Sequence, residues 1–214
     1  GQELGAVRPP WSVLTVAVAG ALLLGPVDLL AQNVLPYPWA NLANSSAVWA
    51  LAAFAIGVWV RRPPWMAAAA GVVLLVLAVA AYYLAAIGFL GDSLTALFRP
   101  STAWWMLFGV VAGVVFGLAG ALARGDRPLW RHTAAALPTA VLLAEAAVLV
   151  YRSGNHDASY REDSLWTAVI EVALAIAVAA ITGRGIRQRA LALAASVPLA
   201  AIGFGAFVLA GFGS

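Results

Sequence analysis

The chain has no cysteine. Disulfides, thiolate nucleophiles and Cys-ligated zinc or iron–sulfur sites are therefore excluded. It has no lysine either: all 12 cations are arginine. Schiff-base chemistry on lysine is excluded with it, a retinal linkage included. There are 2 histidines, His132 and His156. They fall in separate connections on opposite sides of the expected bundle, so no metal site is expected; His156 beside Asp157 reads as part of a solvated loop. Charge is scarce at 10% of 214 residues, against about 25% in an average soluble domain. No H-E-x-x-H, G-x-S-x-G, Walker or D-D-x-x-D pattern occurs. That argues against zinc proteases, serine hydrolases, nucleotide chemistry and metal-bound diphosphate, and no cofactor is expected.

What is present is apolar. Hydrophobic residues make up 64% of the chain and the mean hydropathy is +0.93. They gather in long uncharged runs, the pattern of helices that cross a bilayer. Seven spans are predicted, at 12–32, 41–60, 65–90, 103–123, 133–151, 164–182 and 190–211. The fold class is thus an all-α polytopic membrane helix bundle, a single transmembrane domain over residues 1–214. The first run is too long for the apolar stretch of a signal peptide and lacks a clear A-x-A cleavage site, so it is read as a span. The longest polar segment is expected at 152–163, and a basic turn at 183–189.

The pI near 9.8 does not point to nucleic acid. The arginines lie in short connections between spans, and no basic patch with interleaved aromatics occurs. Nine of them (Arg8, Arg61, Arg62, Arg124, Arg127, Arg131, Arg184, Arg187 and Arg189) fall on one side of the predicted bundle. Only Arg99, Arg152 and Arg161 fall on the other. The larger set belongs in the cytoplasm. The N-terminus is then inside, the C-terminus outside, and the expected location is a bacterial plasma membrane, with lipid as the surrounding partner.

Three acids lie within the predicted spans: Asp28, Glu145 and Glu171. No arginine lies at their depth to neutralise them. A charge at mid-membrane costs roughly 2.5–3.5 kcal/mol, so the cheaper arrangement turns all three inward to share hydrogen bonds, water or a proton. They are the candidate catalytic acids. The bland alternative is that each caps a neighbouring helix or bonds a freed carbonyl. Asp28 follows the helix-bending Pro26, and Glu145 lies two turns after Pro138. Other polar and aromatic side chains are placed near the same level. Asn41, Ser45 and Trp49 are expected on one face of the second span at i, i+4 and i+8, flanked by Asn44 and Ser46. Gln32 lies one turn beyond Asp28, Tyr82 and Tyr83 near the outer end of the third span, and Thr167 one turn before Glu171. Gln32, Asn41, Asn44, Ser45, Trp49, Tyr82, Tyr83 and Thr167 are the candidate substrate-binding residues. Trp104, Trp105 and Trp166 read as an interfacial aromatic belt. Gly109, Gly113 and Gly117 form a glycine ridge suited to close helix packing, within the monomer or in a homodimer.

The stretch 32–57, QNVLPYPWANLANSSAVWALAAFAIG, carries a resemblance. With the later Tyr82-Tyr83 and the F-G-L-A-G of the fourth span, it resembles small actinobacterial membrane proteins of unknown function. In size and helix count the chain is also similar to membrane-bound terpene cyclases, which protonate an alkene or epoxide with carboxylic acids. Fungal members of that group carry a Trp-Glu pair in the second span, whereas here Ala50 follows Trp49. If the activity were shared, the acid would have to be Asp28, Glu145 or Glu171. Two readings of function follow. One is an intramembrane enzyme, a cyclase or isomerase acting on an apolar prenyl-type substrate by general-acid proton transfer, with aromatic faces stabilising a carbocation. The other is a binding or transport protein for a neutral or cationic small molecule, similar to the vitamin-capturing subunits of energy-coupling transporters.

Overall fold

The computed structural model describes residues 8–125, 127–154, 157–182 and 186–207. His156, residues 183–185 of the expected basic turn and the end of the seventh predicted span lie outside the described residues. Among those described, the chain is helical throughout, with no strand. The helices are α1 (Pro10–Val34), α2 (Trp39–Ala43), α3 (Ser46–Val60), α4 (Pro64–Leu90), α5 (Pro100–Leu122), α6 (Pro128–Ser153), α7 (Ala158–Thr182) and α8 (Ile186–Phe207), with a 3-10 turn at Leu94–Phe98. Five of them, α1, α4, α5, α6 and α7, contain segments long and apolar enough to cross a membrane. These five helices mark an integral membrane protein.

Three sequence expectations need correction. The second predicted span is not one helix: it breaks between α2 and α3, at Asn44 and Ser45. Asn41, Ser45 and Trp49 therefore do not share a helix face. The reason is local. Ser45 accepts a hydrogen bond from the Val48 amide at 3.3 Å, the geometry of a residue that starts a helix and not one that continues it. The polar segment expected at 152–163 is mostly helical, since α6 runs to Ser153 and α7 begins at Ala158. The Asp157 carboxylate accepts from the Tyr160 amide at 2.9 Å, and this cap starts α7 early. The connection expected at 124–132 is shortened because Pro128 begins α6, and proline is well suited to a first helical turn.

The helices fall into two compact units. The first holds α1 as far as Leu30, α3 from Trp49, α4 and α5. Its core is built from small and branched side chains, among them Ala17, Ala21, Ala53, Ala67, Leu74 and Ala78. The glycine ridge is used here. A Cβ on Gly113 would meet the Val72 amide nitrogen at 2.5 Å and the Gly71 carbonyl carbon at 2.6 Å. A Cβ on Gly117 would meet backbone of Ala67, and one on Gly120 backbone of Phe54 and Val58. The close approach these glycines permit is thus made inside the chain, by α5 against α4 and α3. Arg8 closes the other end of α3: its Nε donates to the Trp59 carbonyl at 2.7 Å, and its guanidinium lies 4.1 Å from the Trp59 ring centre. A cation at a helix C-terminus complements the helix dipole.

The second unit holds the chain from Ala31 to Val48 together with α6, α7 and α8. α6 lies between α7 and α8 and packs extensively on both. Ala136, Ala140, Leu142 and Ala144 of α6 are buried. α7 is buried along one stripe: Ser164, Thr167, Ala168, Glu171, Ala175 and Ala179. That three-and-four spacing is one helix face. The opposite side of α7 exposes Leu165, Trp166, Val169 and Ile176. Trp104, Trp105 and Trp166 are all exposed.

Candidate functional site

The break between α2 and α3 leaves the first amides of α3 without partners in their own helix. Glu145 of α6 supplies them. Its Oε1 accepts from the Ser46 amide at 3.1 Å, and its Oε2 from the Ala47 amide at 2.6 Å. The Ser45 hydroxyl lies 2.9 Å from the same Oε2. A carboxylate at a helix N-terminus also meets the positive end of the helix dipole. For Glu145, then, the cap is what the structure contains, and the cap comes from about a hundred residues away along the chain.

Glu171 differs. It is completely buried and sits near the middle of α7. Its Oε1 lies 3.3 Å from the Ser45 hydroxyl, so one serine bridges two carboxyl groups. Its Oε2 has no hydrogen-bond partner. Two turns earlier on the same buried stripe, Ser164 is also completely buried, and its Oγ has no partner. Side chains of a helix lean toward its N-terminus, which directs Glu171 toward the turn carrying Thr167 and Ser164. Thr167 donates to the Asp163 carbonyl at 2.8 Å and accepts from the Asn41 amide nitrogen at 3.3 Å. That last bond ties α2 to α7 beside the carboxyl pair.

The structure thus brings together Asn41, Ser45, Glu145, Thr167 and Glu171 in the second unit. Gln32 belongs to the same unit, with a buried Nε2 that has no partner. Asn44 ends α2 with its side chain exposed. Asp28, Trp49, Tyr82 and Tyr83 belong to the first unit. There Asp28 is buried, Trp49 packs on the core of α1, α3 and α4, and the rings of Tyr82 and Tyr83 meet edge to face at 5.4 Å. Ser164 is the polar residue that sequence reasoning passed over. Its signal was its spacing of seven from Glu171, one helix face two turns away. The surface groove along Arg161, Leu165, Trp166 and Val169 is on the exposed side of α7 and takes no part in this cluster.

Chemically, the cluster offers acceptors. The two carboxyls, the serine and threonine hydroxyls and one amide suit a proton or a compact cation. Among the described residues no group of three or more His, Cys, Asp or Glu side chains is arranged to hold a metal ion.

No curated protein and no solved structure matches the chain. The model of a family of unknown function, DUF6518, matches residues 5–211, in keeping with the resemblance carried by residues 32–57. With nearly its whole length matched, the chain belongs to that family.

Proposed function

We propose that this is a seven-span membrane protein that binds a small cationic molecule at the Glu145–Ser45–Glu171 cluster, for capture or transport. The observation that carries the reading is the completely buried Glu171 with its unpartnered Oε2. An acceptor buried without a donor is costly, and an ionisable group within a membrane helix is by default a functional group. A cation supplies what that oxygen lacks, whereas a neutral hydrocarbon chain supplies nothing to it. The neighbours of Glu171 point the same way. Ser45, Thr167 and Asn41 are hydrogen-bonding groups, not aromatic faces of the kind that would stabilise a carbocation. Broken helices are a recurring way of building such sites at the middle of a membrane.

The test is ligand-dependent melting of the purified protein in detergent, with sodium, potassium, ammonium and methylammonium as probes. Saturable stabilisation by at least one of them is expected, and its loss in Glu171→Gln. A ligand at about 100 times its Kd stabilises by roughly 2.7 kcal/mol, ample for detection. If none of the four stabilises the wild type, the cation reading falls. Turnover of a prenyl-type substrate that stops in Glu171→Gln would favour the general-acid enzyme instead.

The seven-span topology comprises the five long helices, the α2–α3 pair and α8. A reporter fused at the C-terminus is expected to report the outside, and one inserted between α7 and α8 the cytoplasm. Both on the same side would contradict the topology.

A further inference from the structure

Ser45 limits how the two carboxyls can be bonded. A serine hydroxyl has one hydrogen and two lone pairs. One lone pair takes the Val48 amide hydrogen. The single hydrogen can go to Glu145 or to Glu171, not to both. The contact to Glu145 is the shorter, 2.9 Å against 3.3 Å. Glu145 moreover faces donors on both oxygens, from the Ser46 and Ala47 amides. All its contacts call for an acceptor, which is the anionic carboxylate. With the Ser45 hydrogen directed to Glu145, the second lone pair of Ser45 faces Glu171 Oε1. Two oxygen lone pairs at that distance repel unless a hydrogen lies between them. The chain of bonds closes with one added proton, carried on Glu171 Oε1.

We infer that Glu171 is a neutral acid donating to Ser45, that Ser45 donates to an anionic Glu145, and that a cation binds in exchange for the Glu171 proton. The last part rests on the cation-binding reading above; the first two do not. The exchange balances. The Oε1–H bond of Glu171 breaks, its proton leaves to solvent water, and one positive charge enters where one departs. The unpartnered Oε2 of Glu171 is the acceptor open to the incoming cation. Ser45 is a positioning residue: it links the two carboxyls, so that release of the proton is felt at the N-terminus of α3.

Among the described residues, the polar groups beside Glu171 are few. From α6 comes Glu145, and from the α2–α3 junction the uncharged Ser45 that bridges the two carboxyls. On its own helix Ser164 and Thr167 share its stripe, with Asp163 one residue off it. The described side chains of α8, at 190 and 194–205, include no charged group. An anionic Glu145 therefore favours retention of the Glu171 proton, since like charges held close cannot both ionise cheaply.

The test is infrared difference spectroscopy of the purified protein at neutral pH, wild type minus Glu171→Gln. The expected difference is the carbonyl band of one protonated carboxylic acid. In a Ser45→Ala background the same band is expected to shift, because the acid loses its acceptor. A difference made only of carboxylate bands would overturn the inference, as would a band that Ser45→Ala leaves in place. If Glu171→Gln does not fold, Glu171→Asp is expected to move the acid band, and an unmoved band is equally contrary. Methylammonium or sodium added to the wild type is expected to deplete the band. The two readings fail separately. A protonated-acid band with no cation binding overturns the cation site alone, and cation binding with only carboxylate bands overturns the proton alone.

Discussion

Replacing Glu145 with glutamine is expected to lower the stability of the protein by about 3 kcal/mol, although the change removes only a charge and keeps the shape. The carboxylate of Glu145 meets three donors: the amides of Ser46 and Ala47 and the hydroxyl of Ser45. Glutamine offers one accepting oxygen and turns an NH2 group toward at least one of those donors. A buried donor left without an acceptor costs roughly 1–3 kcal/mol, and bonds to a charged acceptor are the stronger kind. The lost complement to the helix dipole adds to this. For a chain of this size about 1 kcal/mol corresponds to roughly 2–4 °C, so the melting temperature in detergent should fall by roughly 6–12 °C. The damage should begin at the N-terminus of α3. Hydrogen exchange at Ser46 and Ala47 should rise before that of α4 or α5, which are held by other contacts. An unchanged melting temperature would mean that the cap does not form.

Gly113→Ala should also be damaging, for a different reason. The added methyl would meet backbone of Gly71 and Val72, at 2.5 to 2.6 Å. Backbone atoms cannot step aside as the end of a flexible side chain can, so α5 must move away from α4. Overpacking of this kind typically costs about 1–3 kcal/mol and at times more. The same helix pair contains its own control. A Cβ at Gly88 of α4 meets nothing within 4 Å. Gly88→Ala should be neutral or stabilising by up to about 1 kcal/mol, from helix propensity alone. Thermal melting of the two variants beside the wild type separates close packing from a general intolerance of change. Equal behaviour of the two would show that α5 is not seated on α4 through its glycines.

The apolar runs carried most of the fold in advance, because length and hydropathy alone separate a spanning helix from a loop. The predicted spans at 65–90 and 103–123 lie within a few residues of α4 and α5. The break between α2 and α3 was harder to read. Residues 41–60 are apolar enough to look continuous, and the group that stabilises the break, Glu145, is far away in sequence. The signal within reach was Asn44-Ser45-Ser46, three residues that favour helix starts over helix interiors. Taken as a helix start, it would have pulled Ser45 off the face of Trp49. The acids were legible as inward-facing because charge in a membrane is costly. Their different roles were not. Glu145 and Glu171 have similar sequence surroundings, and only the hydrogen-bond partners separate a cap from a group with a free oxygen. Nor could spacing within each span assign residues to units: Asp28 and Gln32, one turn apart on α1, fall in different ones.

A side-by-side comparison of Glu145→Gln and Glu171→Gln separates an anion held by donors, at Glu145, from an exchangeable acid, at Glu171. Glutamine at 171 mimics a neutral acid: its NH2 donates to Ser45 where the acid's proton did. Its melting temperature without added cation should stay close to wild type, within about 1 kcal/mol in stability, while Glu145→Gln melts well below both. The reverse order, or equal losses in the two variants, would show that Glu145 is not the anion and Glu171 not the neutral acid.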